Sequence, residues 1–135
     1  MYRWWVYAAV ATGTFISVAD QSATAIVIAP IAEDFGADIP TAQWLAIGYM
    51  LSVSALMMPA GALSDMFGRR RMWVLGLVLF AGASLLTSFS VSFWMLVACK
   101  ILMGVGASAT QANGMAMVAG AFSDSERGKA AGLHM

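Results

Sequence analysis

The chain has 135 residues, of which 61% are apolar and only 10% charged, against roughly 25% charged in a soluble domain. Seven basic and seven acidic residues cancel, which excludes the basic footprint of a nucleic-acid binder. The single cysteine, Cys99, excludes an internal disulfide and a cysteine-built zinc site, and with a mean hydropathy of +0.79 the composition is that of an integral membrane protein.

A hydrocarbon core of about 30 Å takes roughly 20 apolar residues to cross as a helix. Four stretches are long enough: about 5–29, 42–63, 72–90 and 92–122. Backbone groups find no partner in lipid, so a span must be a helix or a barrel strand. These runs are too long for strands, and the predicted fold class is all-α with four transmembrane helices.

The first span follows Arg3 and is interrupted only by Asp20 and Gln21. Its start superficially fits a cleavable leader, with Ala23-Thr24-Ala25 as the processing site. Apolar sequence resumes at once from Ile26 to Ala32, which argues for a retained helix. The loop that follows carries Glu33, Asp34 and Asp38 and no cation. Pro40 and Thr41 suit the start of the second span, with Thr41 as its N-cap. Gly68 suits its end, in a left-handed conformation. A short uncharged turn from Ser90 to Ser92 joins spans three and four, and Lys100 lies inside the fourth. Lys129-Ala-Ala-Gly-Leu then reads as the first turns of a fifth helix from about 129, so the expectation is a piece of a longer protein.

Charge sets the expected orientation. Arg3, Arg69, Arg70, Arg71, Arg127 and Lys129 all fall on the side that holds the N-terminus, and none falls on the other. The positive-inside rule then places the N-terminus in the cytoplasm and the chain in a cell (inner or plasma) membrane. Trp4, Trp5, Trp44, Trp73 and Trp94 each lie near the start of a span, as an interfacial aromatic belt requires.

Two ionisable side chains remain inside the membrane, Asp20 and Lys100. A charge at mid-membrane costs about 2.5–3.5 kcal/mol on insertion scales, so such residues are functional candidates. At ~1.5 Å per residue, Asp20 lies roughly 22 Å from the cytoplasmic end and Lys100 roughly 9–12 Å below the outer end. The bland alternative has Lys100 reaching outward to the interface and Asp20 lining a wet crevice. The sharper reading pairs them across a cavity, so that protonating Asp20 releases Lys100.

The densest cluster of unusual residues is the turn Gly61-Ala62-Leu63-Ser64-Asp65-Met66-Phe67-Gly68-Arg69-Arg70-Arg71. Asp65 lies near a helix C-terminus and the arginines near a helix N-terminus, each where the helix dipole disfavours its sign. Specific partners are therefore expected. Asp65 and Arg69 have i, i+4 spacing across Gly68, and Gly61 and Ala62 offer a small surface for close helix approach.

This turn resembles the signature of the major facilitator superfamily, G-x-L-x-D-R-x-G-R-[RK], with matches at Gly61, Leu63, Asp65, Gly68, Arg69 and Arg70 and with Met66 in place of the usual basic residue. Lys100-Ile-Leu-Met-Gly104-Val-Gly106-Ala-Ser is similar to the family's fourth-helix motif R-x-x-Q-G-x-G-A, with Lys100 for the Arg and Met103 for the Gln. Asp20, Ser22 and Pro30 resemble the first-helix motif of its fourteen-helix drug:proton antiporter branch, and Trp44, Gly48, Tyr49 and Leu51 suit the same branch. The resemblance implies part of an N-terminal six-helix bundle, with Asp65 as a cytoplasmic gate latch whose partner helix lies in the other half of the transporter. It further implies proton-coupled efflux of small organic or drug-like molecules, with Asp20 and Lys100 in proton coupling. The implied partners are the bilayer, protons, a small-molecule substrate and the missing C-terminal transporter helices.

Gln111 and Asn113 are either interhelical hydrogen-bonding residues, the favoured reading, or cavity lining, and Gly104 and Gly106 are expected as sites of close helix packing. No nucleophile-and-base set, phosphate loop or metal constellation is present in the sequence, so neither an enzyme nor a cofactor is expected. Two rivals remain open at this level: a four-helix exporter working as a dimer, like the small multidrug resistance family, and an inactive or partner-binding membrane fragment.

Overall fold

The computed structural model describes residues 1–121, 126, 128, 129 and 132. Five helices organise them: α1 (Tyr2–Asp34), α2 (Ile39–Ala42), α3 (Trp44–Phe67), α4 (Arg69–Thr87) and α5 (Phe93–Ala121), with no strand among the described residues. Four units are long and apolar enough to cross a membrane, α2 and α3 counting as one from Ile39 to Phe67. Residue 122, Arg127 and most of the fifth helix expected from about 129 lie outside the described residues.

α1 and the α2–α3 unit outrun their apolar stretches because a helix ends where its backbone is stopped, not where its side chains turn polar, whereas α4 stops at Thr87, short of 90, and α5 stays within 92–122. α1 continues through Asp34 and stops where Gly36 takes a φ of +62°. The second span starts at Ile39, so the expected cap at Thr41 is incorrect. Asp38 occupies the N-cap position, and Pro40 fills the first turn, where its missing N–H has no helical partner to lose. Gly68, with a φ of +97°, closes α3 and opens α4 in a single residue. At the head of α5 the Met95 N–H donates to Ser92 Oγ at 3.3 Å.

The helices run up and down, and three apolar layers stack along them. Ala32, Ala42, Leu45, Phe93 and Val97 pack at one end. Tyr49, Val53, Phe80, Ala83, Met103 and Ala107 fill the middle. Val10 and Val118, with Trp73 against them, close the end that carries the tripeptide Arg69-Arg70-Arg71. α5 is the hub: its buried residues run from Phe93 to Val118, whereas α4 buries only Gly76, Phe80 and Ala83.

Two glycines let α5 serve as hub. A Cβ on Gly104 would lie 2.6 Å from Ser52 Cβ and 2.7 Å from the Tyr49 carbonyl oxygen of α3. A Cβ on Gly106 would lie 2.6 Å from the Gly76 carbonyl oxygen and 2.7 Å from the Phe80 nitrogen of α4. Close backbone approach of this kind substitutes for the hydrophobic effect, which cannot drive helix association in lipid. Outward-facing side chains such as Phe15, Ile26, Val78 and Leu85 stay exposed, as a lipid-facing surface requires.

Trp4, Trp5, Trp44 and Trp94 are exposed near helix ends. Trp73 departs from the belt expectation: it is half-buried, and its indole lies against Gly13 of α1 and Gly114 of α5. Those two glycines leave the space that the ring fills.

Candidate functional site

Inside lipid the hydroxyls of α1 have little choice of partner, and most bond to their own helix one turn back. Thr12, Thr14, Ser17, Ser22 and Thr24 each donate to the carbonyl of residue i−4. A hydroxyl that donates in this way still has lone pairs to accept with. Thr24 uses one of them.

Lys100 extends from α5 to α1 and not outward to the interface. Its Nζ donates to Asp20 Oδ1 at 3.0 Å, to Asp20 Oδ2 at 2.8 Å and to Thr24 Oγ1 at 2.8 Å. An ammonium has three N–H donors, and all three are used. Lys100 is 9% exposed, and the Asp20 side chain retains 23%, so the pair is sheltered but the carboxylate has an open side. The two charges of the apolar spans thus meet as an ion pair between α1 and α5. Thr24 was not singled out from the sequence, although its i+4 spacing from Asp20 on one helix face was available as the signal.

A chain of cavities runs along the face of α1 that carries these residues. One of about 130 Å³ is lined by Asp20, Gln21, Thr24, Tyr49 and Lys100, among others. A second of about 180 Å³, towards the Ser90 end, shares Asp20, Thr24 and Lys100 with it. A third of about 380 Å³, towards the Arg69 end, is lined by Thr14, Ser17, Gln21 and Gln111 with apolar neighbours. Gln111 therefore lines a cavity. Asn113 donates to the Ala109 carbonyl of its own helix at 2.7 Å, so among the described residues Gln111 takes the cavity-lining alternative and neither side chain makes an interhelical bond.

The charged turn sits apart from this site, at the far end of α3. Asp65 and Arg69 pair at 3.3 Å across the Gly68 break, both well exposed. Arg70 and Arg71 line a shallow groove with Val74 and Leu75. Gly61 faces open space, with nothing within 4 Å of where a Cβ would be, so its small surface meets no helix among the described residues. At the same end Arg3 pairs with Glu126 at 3.1 Å. The described residues hold no metal-binding cluster, and Cys99 is buried.

Four long apolar helices around a buried ion pair define a multi-pass helical membrane protein. Residues 10–135 match the Major Facilitator Superfamily, a family of transporters and not of enzymes, and the chain belongs to it. It is 37% identical over 131 residues to the riboflavin transporter RibZ of Clostridioides difficile, covering 97% of this chain and 29% of the relative. It is 31% identical over 121 residues to the multidrug efflux pump LfrA of Mycolicibacterium smegmatis, covering 90% of this chain and 24% of the relative. A methylenomycin A resistance protein of Bacillus subtilis is 28% identical over 120 residues, covering 89% and 26% respectively. The chain thus spans 24–29% of the length of these relatives. No solved structure matches it. Family membership decides against the four-helix dimeric exporter.

Proposed function

We propose that this chain is the N-terminal part of a secondary transporter that exports small organic molecules in exchange for protons, with Asp20 and Lys100 as the coupling pair. The observation that carries the reading is the Lys100 ammonium held by Asp20 and Thr24 inside the membrane. Intramembrane ionisable pairs facing a cavity mark ion pathways, and here the carboxylate keeps an open side through which a proton can reach it. Protonation of Asp20 removes the negative partner, frees Lys100 and changes the charge of the cavity in one step. Several relatives named for drug efflux or resistance support export of drug-like cargo.

The distribution of cations supports a cytoplasmic N-terminus in the plasma membrane. In that orientation the turn from Gly61 to Arg70 is a cytoplasmic gate, with Asp65 and Arg69 held as a surface pair until helices of the other half engage them. A flavin-like cargo is the second reading, favoured by the riboflavin transporter among the relatives.

The test uses the complete transporter in inverted membrane vesicles with an imposed pH gradient and ethidium or riboflavin as cargo. Asp20→Asn is expected to abolish gradient-driven movement while membrane insertion is kept. Unchanged transport in that variant would remove the coupling role.

A further inference from the structure

The cavity of about 380 Å³ towards the Arg69 end is lined by neither member of the ion pair. Its volume falls within the roughly 300–1,000 Å³ of pockets that take drug-sized ligands. Thr14, Ser17 and Gln21 line it from α1, Met57 from α3, and Gln111 and Met115 from α5. No Asp, Glu, Lys or Arg is among its lining residues, and the charges of the adjoining chamber, Asp20 and Lys100, are already paired at 2.8 Å. A charged occupant would give up its hydration with no opposite charge to meet it, which is costly. The polar groups of the α1 wall are committed. Thr14 donates to the Val10 carbonyl and Ser17 to the Gly13 carbonyl, and Gln21 and Ser17 are hydrogen-bonding neighbours of the Tyr49 hydroxyl. Gln111 differs. It is half-buried, and its amide bonds to none of the described residues. Its carbonyl oxygen and its two N–H donors are therefore open to whatever occupies the cavity.

We infer that this cavity is a cargo subsite for an uncharged heteroaromatic molecule with a lactam or imide edge, and that Gln111 determines that specificity. A primary amide presents an acceptor and a donor side by side. It can pair through two hydrogen bonds with an adjacent N–H and C=O on a ring edge, as Asn and Gln pair with the donor–acceptor edge of adenine. Met57 and Met115 add polarizable sulfurs, which make favourable contacts with aromatic rings, so the apolar part of the lining suits a ring system. Gln111 contacts the cargo and takes no part in moving the proton. The inference rests on the proposed transport of small organic molecules and narrows their class.

The test measures binding and needs no gradient. The complete transporter in detergent is titrated with riboflavin, whose ring carries an imide edge, with the same flavin methylated on its imide nitrogen, and with flavin mononucleotide, the same ring bearing a charged phosphate. Fluorescence anisotropy gives the affinities. Methylation is expected to weaken binding about tenfold, the loss of one or two hydrogen bonds, and the phosphate to weaken it by at least about tenfold. Gln111→Met keeps the length and removes the amide. It is expected to weaken riboflavin about tenfold, to change the methylated flavin by less than about twofold, and to leave the unfolding temperature as it was. Equal affinity for riboflavin and its methylated form in the unaltered protein would overturn the inference without recourse to any variant. Equal weakening of both flavins by Gln111→Met would also overturn it, because Gln111 would then act only on the shape of the cavity. No binding of riboflavin by the unaltered protein, or binding of flavin mononucleotide as tight as that of riboflavin, would overturn the assigned cargo class. The export reading is decided separately, by gradient-driven movement in vesicles and its dependence on Asp20.

Discussion

Gly106 of α5 and Gly76 of α4 meet backbone to backbone, each placed so that a Cβ would come within 2.6 Å of the other's carbonyl oxygen. Gly106→Leu therefore has no side-chain movement available to relieve it. The expected cost is more than about 3 kcal/mol, beyond the usual range for overpacking, because the obstacle is main chain. Gly61→Leu is the control, since nothing lies within 4 Å of that position. Thermal unfolding in detergent is expected to separate them, with a large loss for Gly106→Leu and near-normal stability for Gly61→Leu. If the gate role of the turn is right, Gly61→Leu still lowers transport.

The ion pair makes a prediction about partnership. Lys100→Ala leaves Asp20 without its cation in a sheltered site, and Asp20→Asn leaves the ammonium with weaker acceptors. Breaking a buried pair from one side costs about 3–5 kcal/mol, whereas replacing both partners with apolar groups is often close to neutral. The double variant Asp20→Leu/Lys100→Met is therefore expected to be more stable than Lys100→Ala, and to lack proton coupling. A double-mutant cycle on unfolding midpoints checks the first half.

Thr24 supplies the third acceptor to Lys100 at 2.8 Å. Thr24→Val preserves shape and removes that bond, at an expected cost of about 1.5–3 kcal/mol for a bond to a charged group. Thr24→Ser is expected to restore most of it. A stability difference between Val and Ser of less than about 0.5 kcal/mol would mean that Lys100 turns wholly to Asp20 when the hydroxyl is lost.

Asp65 and Arg69 are well exposed, and pairs of this kind contribute about 0.2–1 kcal/mol. Asp65→Asn is therefore expected to shift the unfolding midpoint very little. A substantial fall in transport rate in the same variant would identify a role in gating and not in folding.

The spans were legible because apolar run length is a property of the chain alone, and membrane hydrocarbon tolerates few other solutions. Asp20 and Lys100 stood out for the same reason: a charge in an apolar run is visible without coordinates. Their helix ends were less legible. Thr41 looked like a cap, but Pro40 fits the first turn better and moved the start to Ile39. Trp73 looked interfacial because sequence gives depth but not azimuth, and only the folded chain shows Gly13 and Gly114 opening a slot for its ring. The role of Thr24 is not legible because a hydroxyl becomes chemistry only when a second helix delivers its partner, here Lys100, 76 positions away.

Cys99 is the only cysteine in these 135 residues, and it is 5% exposed. A thiol packed that tightly is shielded from water-soluble maleimides, so the segment is a nearly silent background for chemical labelling. Cysteines introduced at Ser17, Gln21 or Gln111 would report, by their rate of modification, when each cavity opens to one aqueous phase or the other. The buried thiol beside Lys100 thus makes the route to Asp20 measurable during turnover without first removing a native reactive group from this part of the chain.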